Sequence, residues 1–201
     1  DLHLDYDVVV GNYAFSCYPD TIYFYNDVQS VGECAFYSTV VVCENIIKNA
    51  GKQSFENSQI SGLRGTVDVT GFVQKSAFAG ATFLCDELYI NCECYSTSFN
   101  GAICNSAIRI SKNIKVDVSI ISGITYPTWT GSAIKYEGTL SDYLLTEGIG
   151  FITSSGDLYI DNVLVNELTI SSNNNRIESY VFCNSNINRI ISNGYVSIGK
   201  G

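Results

Sequence analysis

The chain has 201 residues, enough for one domain with a substantial core. It is 46% hydrophobic and 15% charged, which excludes a disordered segment and a heavily charged surface. The net charge of -9 disfavours nucleic acid and anionic membrane surfaces as partners, because both need basic patches.

Residues 1–10 alternate. Leu2, Leu4, Tyr6 and Val8 take one face, and Asp1, His3, Asp5 and Asp7 the other. This predicts an amphipathic strand with an acidic outer face. Strand donation to a neighbouring subunit and a calcium site on Asp1, Asp5 and Asp7 are the sharper alternatives. Tyr23-Phe24-Tyr25 follows, with a turn signal at Asn26-Asp27. The apolar run Val40-Val41-Val42-Cys43 suits a strand buried on both faces. A short helix is expected over 44–53, stopped by Gly51. In Leu88-Tyr89-Ile90-Asn91-Cys92-Glu93-Cys94, both Cys share the parity of Leu88 and Ile90 and should point inward.

The stretch 99–138 carries the clearest pattern. Ile108, Ile110, Ile114, Val116, Val118 and Ile120 share one parity, and Arg109, Ser111, Asn113, Lys115, Asp117 and Ser119 share the other. This is the period of strands with one buried face, broken by a turn at Lys112-Asn113. A second helical turn is expected over 141–147, ended by Gly148. Strands resume near 158–160, 163–165 and 168–170, and a polar turn covers 171–175. The sequence closes on Tyr195-Val196-Ser197-Ile198, with no capping helix after it.

Small-residue openings recur about 20 to 30 residues apart: Gly32-Glu33-Cys34-Ala35-Phe36, Gly62-Leu63-Arg64-Gly65, Ala79-Gly80-Ala81-Thr82, Gly101-Ala102-Ile103 and Gly131-Ser132-Ala133-Ile134. Repeats of that length stack as solenoid coils, because one coil cannot bury its inward row alone. At Phe99-Asn100-Gly101-Ala102-Ile103 and Gly131-Ser132-Ala133-Ile134 the chain resembles the Gly-Gly-Ala-Ile repeats of polymorphic outer-membrane-protein and autotransporter-passenger β-helices. The resemblance covers about half the chain. It implies a right-handed parallel β-helix exposed on a cell surface. The competing fold is an antiparallel β-sandwich or jelly roll.

Candidate chemistry is sparse. Cys85, Cys92, Cys94 and Cys104 form the densest Cys group, but the Cys-x-x-Cys pairs of a zinc site are missing. They read as core cysteines or as disulfide partners between coils. His3 is the sole His, so any Ser-His-Asp or Cys-His system would depend on it. Carboxylate pairs for glycoside hydrolysis would come from Asp86, Glu87, Asp117, Asp157 or Asp161. The best enzyme candidate is Asp117, with Lys115 and Arg109 on its parity; the bland alternative is cross-strand charge pairing. Fourteen Tyr suit half-buried strands, interfaces or a carbohydrate platform.

The chain has no Met and starts at Asp1, so a processed mature protein or an excised segment is expected. No Asn-x-Ser/Thr acceptor occurs, which tilts against a glycosylated eukaryotic surface protein. The expectation is a single all-β domain over 1–201, built as a parallel β-solenoid, with no cofactor, no metal and no membrane insertion. Its expected role is non-enzymatic: a structural subunit of an extracellular or cell-surface assembly such as a filament, sheath, surface layer or adhesin stalk. It should self-associate as a homo-oligomer or homopolymer through strand edges or solenoid ends, using Leu2, Leu4, Tyr6, Val8, Tyr195, Val196 and Ile198. The alternatives are a polysaccharide-active β-helix enzyme and an adhesin module binding surface carbohydrate or a receptor.

Overall fold

A computed structural model describes residues 1–44, 46–104, 106–119, 133–152, 157–170, 176–182 and 187–200. Ile120, Gly131, Ser132 and the 171–175 turn lie outside the described residues.

The chain winds as pairs of short strands. They are β1 (Leu2–Leu4) and β2 (Val8–Val10), β3 (Thr21–Phe24) and β4 (Val28–Val31), β5 (Val40–Cys43) and β6 (Ile46–Lys48), β7 (Gln59–Gly62) and β8 (Thr66–Val73), then β9 (Thr82–Leu84) and β10 (Glu87–Tyr95). After them come β11 (Ile103–Cys104), β12 (Ala107–Ile110), β13 (Lys115–Asp117) and β14 (Ile134–Tyr136). Helix α1 (Leu140–Leu144) and a 3-10 turn over Ile149–Phe151 precede β15 (Leu158–Ile160), β16 (Val163–Leu164) and β17 (Glu167–Ile170). The last strands are β18 (Arg176–Ile177), β19 (Arg189–Ser192) and β20 (Ser197–Ile198).

Odd strands β1 to β11 form one parallel sheet, and β2, β4, β6, β8, β10, β12, β14 and β15 form a second. Each strand pairs with its counterpart one coil away, so the result is a β-solenoid of about eight turns. The parallel pairing removes the sandwich and jelly-roll alternatives, whose strands run antiparallel. One antiparallel strand, β16, closes the second sheet beyond β15.

The core follows side-chain alternation. Ile22, Val41 and Ile60 make one inward row; Ile47, Val69, Ile90, Ile110, Tyr136 and Ile160 make another. Full burial of such a side chain contributes about 1.5–3 kcal/mol. Ile108, Ile110 and Ile114 are buried as their parity predicts, Val116 and Val118 are half-buried, and Lys115 and Asp117 are exposed. Cys92 and Cys94 point inward.

A third side carries a feature the alternating pattern does not reveal. Between β2 and β3, and at the equivalent place in the next four coils, a tight arc presents Phe15, Phe36, Phe55, Phe78 and Phe99. Their rings stack along the axis with centroids 5.6, 5.1, 5.1 and 5.1 Å apart. In the first four arcs the residues two before and two after the Phe adopt left-handed backbone: Tyr13 and Cys17, Cys34 and Ser38, Gln53 and Asn57, Ser76 and Gly80. That conformation costs a non-glycine residue about 1–2 kcal/mol. Axial hydrogen bonds offset it: the amides of Phe36, Phe55 and Phe78 donate to Ser54, Ala77 and Ser98 carbonyls at 2.7, 2.7 and 2.8 Å.

Four expectations need correction. Residues 1–10 are two strands around a corner, so Tyr6 leaves the inward row and is 65% exposed, and Val9 takes the outer face of β2. The helix expected over 44–53 is strand β6, held between β4 and β8. Strand β5 buries one face only, with Val41 and Cys43 inward and Val40 exposed. The small-residue openings are not equivalent either. Gly101-Ala102-Ile103 leads into the first sheet and Ile134 starts a strand of the second, whereas Gly62 to Gly65 turns the corner between the sheets. The expected turn over 141–147 does form a helix, α1, with Thr139 as its cap and left-handed Gly148 after it.

Candidate functional site

Two surfaces and one buried cluster remain once the coils are stacked. The first surface is the outer side of coil one. Among the described residues, strand β1 pairs with β3 alone, and β2 with β4 alone. Leu2, Leu4 and Val8 point inward yet stay half-buried, whereas Ile22, Phe24 and Val28 one coil on are 0, 0 and 1% exposed. Phe15 is likewise half-buried, with Phe36 stacked on one side. Outside the core, His3 lies flat on Tyr23 at 4.7 Å and accepts or donates a 2.9 Å bond with the Tyr25 hydroxyl. Side-chain burial and ring stacking are therefore both incomplete at this edge. At the far end, Tyr195 is 100% and Ile198 69% exposed, and Val196 is half-buried.

The second surface is a cleft of about 490 Å³ on the outer face of the second sheet. Its floor is set by register: Tyr89, Arg109 and Lys135 are neighbours on β10, β12 and β14. Arg109 binds Glu87 at 2.8 Å and Glu137 at 2.7 Å, and its guanidinium carbon lies 3.9 Å from the centre of the Tyr89 ring. The Tyr89 hydroxyl donates to the other oxygen of Glu137 at 3.0 Å. Burial works against the Arg109 charge, but the bonds to Glu87 and Glu137 outweigh it and raise its pKa. Burial raises Asp68, against the pull of Arg109, and burial also raises Tyr89. Asp161 lines one side of the cleft, at the turn joining β15 to β16.

Asp117 does not join this cluster. Arg109 sits beside Tyr89 and Asp117 beside Tyr95, six residues or about 20 Å further along β10. Asp117 instead accepts the Ser119 amide at 2.8 Å, and Lys115 faces Glu93 at 3.8 Å. Shared parity put Arg109, Lys115 and Asp117 on outward faces, but beside different parts of the same strand β10. Glu137, which the sequence reading passed over, supplies the second carboxylate. Its signal is positional: it follows β14 by one residue, as Ser111 follows β12.

Among the described residues every cysteine is a free thiol: Cys43, Cys92, Cys94 and Cys104 lie in the core, Cys34 and Cys85 are half-buried, and Cys17 is exposed. Burial pushes Cys43 up to about 12. A bond to Cys92, then burial, raises Cys94. No group of three or more His, Cys, Asp or Glu among the described residues is placed to hold a metal ion. Among the described residues no helix is long and apolar enough to cross a membrane.

These elements define a parallel β-solenoid. Comparison with protein-family models, with curated proteins and with solved structures finds no match to this chain.

Proposed function

We propose that the chain is a non-enzymatic structural subunit of an extracellular assembly, and that it self-associates through the ends of its solenoid. What supports this is the stacking of coils by parallel backbone pairing, with Leu2, Leu4 and Val8 of the outermost described coil half-buried where their counterparts one coil on are fully covered. A further coil laid against β1 and β2 would complete their backbone pairing, cover Phe15 and extend the stacked rings. Exposed Ile198 on β20 offers an apolar strand edge at the other end. The arrangement of Arg109 favours a structural role too, because both its carboxylate partners and Tyr89 already occupy it.

Light scattering across a concentration series tests the proposal. Growth in mass with concentration is expected, with Leu4→Glu and Val8→Lys each shifting the population to monomer while far-ultraviolet circular dichroism still reads β structure. A monomer at every concentration overturns it.

A second reading is carbohydrate binding at the cleft, favoured by its Tyr89 ring and polar lining. Glycan-array binding that is lost on Lys135→Ala supports that reading, and an empty array opposes it.

A further inference from the structure

Strands β9 and β11 are parallel neighbours, with Phe83 beside Cys104. Cys85 lies just past the end of β9, on the parity of Phe83. This brings two thiols from adjacent coils together at one corner. Both sulfurs reach the same Ser106 hydroxyl, Cys104 at 3.4 Å and Cys85 at 3.9 Å, which places the two thiols side by side. Cys104 is 1% exposed, but Cys85 opens onto a surface cleft of about 350 Å³ beside Gly62, Gly65 and Asp86. One thiol is accessible, then, and the second waits behind it.

We propose that Cys85 and Cys104 are an oxidisable dithiol that closes into a disulfide between neighbouring coils by exchange with a small external disulfide such as oxidised glutathione. Cys85, the sulfur open to the cleft, gives up its proton and attacks one sulfur of the external disulfide; that S–S bond breaks and one thiolate leaves. The bond to Cys104, then burial, raises the Cys85 pKa, so this step quickens as pH rises. The Cys104 thiolate then attacks the Cys85 sulfur, forming the protein disulfide and expelling the second small thiolate. Two protein thiols lose two electrons, the external disulfide gains two, and the protons pass to the departing thiolates. The second step is prepared by the local bonding: once Cys85 is engaged as a mixed disulfide, the Ser106 hydroxyl, 3.4 Å from the Cys104 sulfur, remains to favour the Cys104 thiolate against the opposing effect of burial. A low thiol pKa raises the fraction present as nucleophile at neutral pH.

Cys92 and Cys94 are the contrasting pair. They sit two apart on one strand, in the core, with pairing partners Gly71 and Val73 that offer no thiol. Strand geometry holds such residues with their backbones about 6.6 Å apart along a straight segment, and neither faces a cleft. The inference is independent of the assembly reading, since it needs no second copy.

The test equilibrates the full chain across ratios of oxidised to reduced glutathione, alkylates free thiols with N-ethylmaleimide, and maps the peptides after digestion. The expected result is loss of alkylation at Cys85 and Cys104 together, with a peptide joining them. Cys85→Ser and, separately, Cys104→Ala should abolish that peptide, and Cys104→Ala should leave glutathione on Cys85. The oxidised native chain should also resist denaturant more than the reduced chain. The wild-type map alone decides the matter if a variant does not fold. No joined peptide at any ratio, joining of Cys85 to Cys43 instead, or glutathione retained on Cys85 in the native chain overturns the proposal.

Discussion

Phe55 lies face to face on Phe78, with ring centres 5.1 Å apart and planes within 9°. The two belong to successive coils and to different stretches of sequence, and each is fully buried. The contact therefore ties coil to coil at the one side of the solenoid that has no sheet. Phe55→Ala should cost about 3–5 kcal/mol, from lost transfer energy and a cavity that the rings above and below cannot fill. Phe55→Leu should cost distinctly less. Denaturant unfolding of both variants measures the difference.

Arg109 should be a stability residue. Arg109→Met leaves Glu87 and Glu137 without their cation and exposes the Tyr89 face. The side chain is 34% exposed, so a loss of about 1–2 kcal/mol is expected, between the values for surface and buried pairs. Arg109→Lys should restore little, because a lysine cannot span two carboxylates and stack on a ring together. Adding Glu137→Gln to Arg109→Met should recover part of the loss, as read by a double-mutant cycle.

The cap of α1 gives a pH-dependent outcome. The Asp142 amide donates to the Thr139 hydroxyl oxygen at 3.2 Å, and the Thr139 amide donates to the Asp142 carboxylate at 2.9 Å. Thr139 holds the Asp142 carboxyl below its ordinary value. A depressed carboxylate stabilises the fold above its unfolded pKa of about 4, and that contribution is lost as pH falls through the folded value. Thr139→Ala should cost about 1 kcal/mol at pH 7. The stability gap between the native chain and Asp142→Ala should hold from neutral pH to about 5 and narrow below 4. Unfolding curves across that range check it.

Gly71 sits within β8 at a backbone angle of +73°, and a Cβ there would stand 2.5 Å from Asn49 Oδ1. That oxygen accepts the Phe72 amide at 3.1 Å, so the clash falls on a bond between coils. Gly71→Ala should destabilise by about 1–2 kcal/mol, from left-handed strain plus the displaced Asn49. Thermal unfolding reads it, and an unchanged midpoint contradicts it.

Alternation was legible wherever one face is buried. Leu88, Ile90, Cys92 and Cys94, and later Ile108 and Ile110, could be assigned inward from parity alone. The coil boundaries were not, because the repeat is irregular. Phe15, Phe36, Phe55, Phe78 and Phe99 are 21, 19, 23 and 21 residues apart, each preceded by Ala or Ser. That pairing is the signal a strand-period search misses, since the arcs do not alternate. The helix expected over 44–53 failed because pairing to β4 and β8 on both sides overrode local propensity. The Arg109 cleft was half visible: Glu87 was a candidate, but the coil register that brings Glu137 to Arg109 exists only after folding.

Coil-to-coil pairing has a mechanical side. In the parallel sheets the backbone bonds point along the solenoid axis, so a lengthwise pull loads them in tension and a pull on one end of the chain peels one turn before the next. Each released turn of about 20 residues frees about 70 Å of slack. Under force such a protein pays out in steps, as a shock absorber does, and the stacked rings set how hard each step is.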